Sequence, residues 1–158
     1  MDSIDVIDAL NGTPRPHYLV GKALCESDGN SHSLDGKVNF ASDGNPSILD
    51  RVKLYLPVPH VNIGDACFAL WNAAHILGNR AGYGKRILKG RVEIDISNTP
   101  VPPDTLLDLY ALVIEERKIV RGNRELIDGP VSGRLILDGK TLIKIRATYS
   151  AERYIKGI

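Results

Sequence analysis

Hydrophobic positions follow two different patterns along this chain. Between His60 and Gly78 almost every position is apolar, on nearly every face of a helix. A helix without a polar face must be enclosed by other structure. After Asn79 apolar and polar residues alternate with a period of two, which is typical of strands with one buried face. The sequence therefore predicts one long apolar helix followed by an antiparallel meander.

Shorter elements are predicted around this pattern. Ser3 can cap a short helix over residues 3–10, which the Asn11–Gly12 pair would end. The dipeptide Asp138–Gly139 between two apolar runs predicts a two-residue hairpin turn. Alternation and turn residues predict strands within 18–26, 37–41, 52–56, 87–96, 106–116, 124–137 and 140–149.

Together these elements predict the α+β class and one domain over residues 1–158. One long apolar helix and five or more antiparallel strands favour a curved sheet wrapped around the helix, which is the hotdog fold. An unrelated α+β sandwich is the alternative. Because such a sheet has an exposed edge, the prediction includes pairing of subunits in a homodimer or homotetramer.

Composition narrows the class of protein. The formal net charge is +1, with 43% hydrophobic and 25% charged residues, which gives no support for a nucleic-acid partner. The acidic start of the chain and the absence of an apolar run of about 20 residues predict a cytoplasmic protein with no membrane partner. Two cysteines, Cys25 and Cys67, make neither a disulfide framework nor a metal site, so no metal is expected.

The candidate chemistry lies at the start of the long helix. His60 can exchange protons, or it can simply bond to nearby backbone. Asn62 can cap the helix, and the N–H groups near Gly64 and Asp65, at the positive end of the helix dipole, can hold a developing negative charge. Asp65 is either a base or nucleophile, or an acid that matches the helix dipole.

A second asparagine, Asn72, lies further along the same helix, where a buried amide needs hydrogen-bond partners. The His60-Val61-Asn62 motif, Asn72, and Tyr55 on the strand before the helix carry a resemblance that covers residues 18–77. The chain resembles the FcoT-like thioesterases, a branch of the hotdog superfamily. The resemblance implies that Tyr55 and the two asparagines line an acyl-thioester site. The family has a further tyrosine from the N-terminal region, and no counterpart of it is identified in this sequence.

Within that family the chain is also similar to enzymes of bacterial secondary metabolism that add glycine to the β-carbon of an α,β-unsaturated acyl thioester. The resemblance implies glycine and an acyl-ACP or acyl-CoA as substrates, and an N-carboxymethyl-β-amino acid as product. No cofactor is expected beyond the phosphopantetheine that carries the substrate. His60 and Asn62 would be catalytic, and Tyr55, Gly64, Asp65 and Asn72 would bind substrate.

The sequence is also compatible with other functions. Thioester hydrolysis can accompany the addition or replace it, as in a plain medium- or long-chain acyl-CoA or acyl-ACP thioesterase. A 3-hydroxyacyl dehydratase and a non-catalytic acyl-binding protein are further alternatives. The basic stretch after the helix supplies Lys85, Arg86 and Lys89 as candidates for binding the phosphopantetheine phosphate, or only scattered surface cations.

Overall fold

A computed structural model describes residues 1–14, 16–40, 63–99, 101 and 104–155, without the side chains of residues 85–89. The strand predicted over 52–56 lies outside the described residues.

Two helices and eight strands make up the described part of the chain. Their bounds are β1 Asp2–Asp5, α1 Val6–Ala9, β2 Leu19–Asp28, β3 Ser31–Val38, α2 Ile63–Arg80, β4 Lys85–Ile96, β5 Leu107–Ile114, β6 Arg117–Arg121, β7 Arg124–Leu137 and β8 Lys140–Tyr154.

All strand pairs are antiparallel and belong to one sheet of order β1-β2-β3-β5-β7-β8-β4, with β6 paired to β7. The predicted hairpin is confirmed between β7 and β8. Both of its turn residues have positive φ, Asp138 at 49° and Gly139 at 78°, as a tight turn matching the strand twist requires. The α+β class predicted from the sequence is therefore confirmed as a mostly antiparallel sheet with two helices.

The hydrophobic core lies between α2 and the sheet. Helix α2 contacts five strands that are neighbours in the sheet: β2, β3, β5, β7 and β8. Every second residue of β5 is buried, as expected of a strand with one face on a core. Alanines dominate the buried side of α2, and short side chains let the sheet approach the helix closely.

The long helix differs from its prediction. It has 18 residues, Ile63–Arg80, and it is not enclosed on every face. One stripe escapes burial by the sheet, and its residues recur at intervals of three or four: Gly64, Phe68, Trp71, His75 and Asn79. Phe68 and Trp71 are hydrophobic residues of the kind usually found in a core. The hydrophobic pattern of the sequence therefore did not indicate that the sheet leaves this stripe of the helix exposed.

Two predictions near the N-terminus are wrong in their bounds. Residues 2–5 pair with β2, so the first helix has only four residues, and Asp5 caps it in place of Ser3. The Asp5 Oδ1 accepts hydrogen bonds from the backbone N–H of Ile7 at 2.9 Å and of Asp8 at 3.2 Å. The strand predicted over 37–41 starts at Ser31 instead, because Gly36 occupies one of its buried positions and no apolar residue precedes Leu34 in the strand, so little hydrophobic alternation is visible.

Strand β7 changes its neighbour in the middle. Its residues 131–136 pair with β5, whereas residues 124–128 pair with β6, which the sequence did not predict. The change occurs at Gly129–Pro130, where the chain passes from β5 to β6 along the same edge of β7 with one residue more than β7 has, which makes a β-bulge. Here the Glu116 N–H donates to the Asp128 carbonyl at 2.9 Å. The close approach of two backbones explains why glycine stands at 129.

Candidate functional site

Two buried polar side chains of α2 are joined by one residue of the N-terminal region. The backbone N–H of Tyr18 donates to Asn72 Oδ1 at 3.1 Å, and the Tyr18 hydroxyl donates to Asp65 Oδ1 at 2.6 Å. Asp65 and Asn72 are each 2% exposed. The structure therefore brings together two residues that the sequence had predicted for the site and adds a third.

Helix geometry explains how one tyrosine reaches both side chains. Asp65 and Asn72 are seven residues apart, so they lie on the same face of α2, separated by about 10.5 Å along its axis. The buried Phe40 ring packs against the Tyr18 ring with the centroids 5.0 Å apart, which holds the phenol against the helix. Tyr18 thus lies along two turns of α2, with its backbone at Asn72 and its hydroxyl at Asp65.

Asp65 is a buried acid at the first turn of the helix. Burial raises the pKa of Asp65 above its ordinary value and outweighs the hydrogen bond from Tyr18, which lowers it. Burial, and then the hydrogen bond and negative charge of Asp65, raise the pKa of the Tyr18 phenol, so this hydroxyl remains a donor. Among the described residues Asp65 has no cationic partner. Such an acid holds its proton more readily than a surface carboxylate, and when ionised it is a stronger base.

Glu115 is the other buried carboxylate, and its surroundings are different. Its Oε1 lies 3.2 Å from His32 Nε2, and its Oε2 lies 3.1 Å from Lys118 Nζ. Arg153 adds a guanidinium 4.0 Å away. This group has the surroundings of a structural ion pair, because basic side chains compensate its burial. The absence of a described cation at Asp65 is what distinguishes the site from a structural pair.

A cleft of about 390 Å³ runs beside the uncovered stripe of α2. The helix and the segment before Tyr18 form its walls, with lining from Thr13, Pro14, Phe68, Trp71, Asn72 and His75. Asn72 Oδ1 is already bonded to the Tyr18 N–H, so its Nδ2 donors are the part of this side chain left to face the cleft. The cleft therefore combines apolar walls with a fixed hydrogen-bond donor.

The remaining predicted site residues are distributed as follows. Gly64 is exposed in the first turn of α2. Tyr55, His60 and Asn62 lie outside the described residues. The backbones of Lys85, Arg86 and Lys89 belong to β4, an edge strand that begins directly after Gly84, which also lines the cleft.

Sequence reasoning missed Tyr18. Its bonds to the helix span 47 and 54 residues along the chain, so no local spacing links it to Asp65 or Asn72. The one available signal is its position at the start of a predicted strand.

Other chemistry is not indicated by the described part of the chain. It contains no group of three or more histidine, cysteine or acidic residues that could hold a metal ion. Neither described helix is long and apolar enough to cross a membrane. Burial raises the pKa of the Cys67 thiol, which keeps it in its less reactive protonated form.

Replacing Tyr18 by phenylalanine is expected to raise the pKa of Asp65 further, because it removes the hydrogen bond that lowers it. The ring and the backbone bond to Asn72 are retained. Loss of a bond to a buried carboxyl should lower the free energy of unfolding by about 1–3 kcal/mol. Carboxyl ¹³C shifts followed against pH and denaturant unfolding measure the two effects.

A matched control is Tyr110→Phe, which removes the hydroxyl of a half-buried tyrosine on β5 whose ring lies 5.3 Å from the Arg134 guanidinium carbon. An unchanged Asp65 titration in Tyr18→Phe would contradict the coupling between phenol and carboxyl.

Comparisons with known proteins give similarity in fold alone. Neither a protein-family model nor a curated protein matches the sequence. Among solved structures the chain is similar to AziG of S. sahachiroi, at 13% identity and a TM-score of 0.44 over 83% of this chain and 91% of that one. It is also similar to a candidate thioesterase from Shewanella oneidensis, at 14% identity and a TM-score of 0.43 over 82% of each chain. A third is a candidate thioesterase from Ralstonia eutropha, related to phenylacetic acid degradation, at 19% identity and a TM-score of 0.46 over 81% and 83% of the chains.

Proposed function

We propose that this chain is a hotdog-fold enzyme that acts on acyl thioesters. The observation that carries the proposal is the buried Asp65 carboxyl, bonded to a neutral phenol at the first turn of α2 and linked through Tyr18 to Asn72 in the wall of a cleft. An ionisable group with a raised pKa and no described cationic partner destabilises the fold, and such groups concentrate at sites of chemistry.

The arrangement suits attack beside a thioester carbonyl. Donors at the start of α2 would stabilise negative charge on the carbonyl oxygen, and such a donor contributes about 3–4 kcal/mol in other enzymes. The Asn72 Nδ2 group, about 10.5 Å further along the helix, would bind another part of the substrate. In hydrolysis Asp65 would take a proton from the attacking water. In this proposal Gly64 lets the substrate approach the helix end closely.

The specific reaction we propose is the addition of glycine to an α,β-unsaturated acyl thioester. The glycine nitrogen bonds to the β-carbon while the π electrons of the double bond move to the carbonyl as an enolate. The ammonium proton passes to a base and a proton returns to the α-carbon. His60 is proposed to move these protons, with Asn62 and Tyr55 positioning the substrate. The resemblance of the His60-Val61-Asn62 motif supports this choice, and secondary metabolism is the context that we propose for the reaction.

Hydrolysis of the thioester is the second candidate. The buried Asp65 carboxyl favours it, because a carboxylate at this position can activate water without any help from His60. In both reactions the same donors would stabilise the oxyanion.

Incubation with crotonyl-pantetheine and ¹³C-glycine separates the two reactions. We expect a product that contains the label, detected by mass spectrometry. Butyryl-pantetheine, which has the same length and no double bond, should give none. Free acid from both thioesters without a labelled adduct would contradict glycine addition and support hydrolysis. Binding of both without any product would support the non-catalytic alternative.

Two single variants then assign the base. Loss of adduct formation in His60→Ala, with hydrolysis retained, supports His60 as the proton carrier of the addition. Loss of all turnover in Asp65→Asn, with His60→Ala active, assigns the chemistry to Asp65 instead.

The proposal also includes the carrier and a second subunit. The chain continues from Gly84, which lines the cleft, into Lys85, Arg86 and Lys89. We therefore propose that these basic residues bind the phosphate of a pantetheine on ACP or CoA. Strand β4 lies at an edge of the sheet, and Val92 and Ile96 on it are 48% and 54% exposed. Pairing in a homodimer or homotetramer would protect such an edge.

A further inference from the structure

Aromatic side chains dominate the face of α2 that the sheet leaves uncovered. Phe68 and Trp71 are three residues apart, so their side chains are neighbours on the helix surface. Phe68 is 41% exposed and Trp71 is half-buried, and both line the cleft. Apolar rings that a fold leaves open beside a cavity mark a surface suited to an apolar ligand.

The opposite wall of the cleft is held rigidly. Thr13 Oγ1 donates to the Leu10 carbonyl at 2.6 Å, and the backbone N–H of Thr13 donates to the same oxygen at 3.0 Å. Because the Thr13 hydroxyl donates its hydrogen bond to the Leu10 carbonyl, it acts as the acceptor for His17 Nε2, which lies 2.7 Å away. Pro14 beside it has a fixed φ. The segment is therefore held in one conformation, and the bonds of Tyr18 to Asn72 and Asp65 tie the chain that follows it to α2.

Polar groups lie along the helix side of the same cleft. Asn72 is fixed by Tyr18, and His75 is held by Asn79, whose Nδ2 lies 3.1 Å from the imidazole Nε2. A ligand that fits pairs a polar end with an apolar body. The volume of about 390 Å³ is at the small end of the usual range for ligand pockets, which favours a short or medium chain.

We infer that this cleft holds the acyl group of the substrate and selects flat, conjugated acyl groups over saturated chains of equal length. The inference rests on the proposed action on acyl thioesters and adds the class of acyl group. A conjugated chain has fewer rotatable bonds to immobilise, and its π-face can stack on Trp71 and Phe68. A saturated chain offers neither advantage.

Two stable pantetheine analogues test the selectivity. In each an amide replaces the thioester, and one carries a hexa-2,4-dienoyl group while the other carries a hexanoyl group. Calorimetry should show the dienoyl analogue binding about 3- to 10-fold more tightly, which is the range expected for aromatic stacking. Trp71 is the only tryptophan, so its indole N–H gives a single side-chain NMR signal that should move on binding.

Phe68→Leu keeps an apolar side chain but removes the ring. It should weaken binding of the dienoyl analogue about threefold and change hexanoyl binding less than twofold. Tyr154→Leu removes an exposed ring on β8 that does not line the cleft, so it should leave both affinities unchanged.

Equal affinities for the two analogues, or binding that leaves the indole signal in place, would overturn the inference. Turnover of acyl thioesters with no dependence on Phe68 would overturn the acyl-pocket assignment and leave the proposed function intact. Selective binding at Trp71 without turnover of any thioester would overturn the proposed function and leave the selectivity of the cleft intact.

Discussion

Asp65→Asn is expected to lower thioester hydrolysis by about 100-fold or more and, at neutral pH, to increase stability. The loss of hydrolysis follows from removing the base proposed for that reaction, whose contribution in enzymes is typically about 10²- to 10⁴-fold. Asparagine keeps the shape and the oxygen that accepts from the Tyr18 hydroxyl, so the packing around it should survive. Turnover of a thioester and thermal unfolding of the same preparations measure the two effects.

The gain in stability follows from the direction of the pKa shift. Burial raises the pKa of Asp65 in the folded protein, so the folded protein holds this proton more tightly than the unfolded chain does. Stability therefore falls as pH rises through the window between the unfolded and folded pKa values, and it stays lower above that window. Below about 3.8, the ordinary value, both states are protonated and the advantage of the variant should disappear. Each 1 kcal/mol gained would raise Tm by about 2–4 °C.

Glu115→Gln is the matched control. It neutralises the other buried carboxylate, which pairs with His32 and Lys118, so it should lower stability because the basic partners lose their counter-charge. If Asp65→Asn lowers stability as Glu115→Gln does, or retains full turnover, Asp65 is a structural group.

Gly129→Ala is expected to prevent stable folding. A Cβ atom at this position would lie 1.6 Å from the Ile114 carbonyl oxygen and 2.9 Å from the Glu116 backbone nitrogen. These obstacles are backbone atoms of the segment that joins β5 to β6 along the edge of β7, so no side-chain rotation can relieve the overlap. We expect a loss of more than about 3 kcal/mol of stability, beyond the usual cost of overpacking. Yield of soluble protein and denaturant unfolding measure it.

Gly133→Ala provides the comparison on the same strand. Its added Cβ would lie 2.6 Å from Leu70 Cδ1, at the flexible end of a side chain of α2. Leu70 can move, so the variant should fold with a loss of about 1–3 kcal/mol. Similar stabilities for the two variants would show that the backbones at Gly129 can separate.

The strand order could not be read from the alternation that predicted the strands. The Asp138–Gly139 turn fixed one hairpin, because only a tight turn joins two strands across two residues. Strand β3 was misplaced because Gly36 fills one of its buried positions and only Leu34 and Val38 mark the buried face, and β6 was missed because all five of its residues are exposed. A strand without a buried face carries no hydrophobic period to find.

By itself the sequence determined the α+β class, the central helix, the β7–β8 hairpin, and Asp65 and Asn72 as site candidates. These depend on local spacing and local turn chemistry, which act over a few residues. Only the tertiary structure decided that Tyr18 joins those two side chains, that Asp65 lacks a described cationic partner, and that Phe68 and Trp71 face a cleft. Each of those depends on contacts between residues far apart in the chain, and the sheet that brings them together forms by long-range pairing.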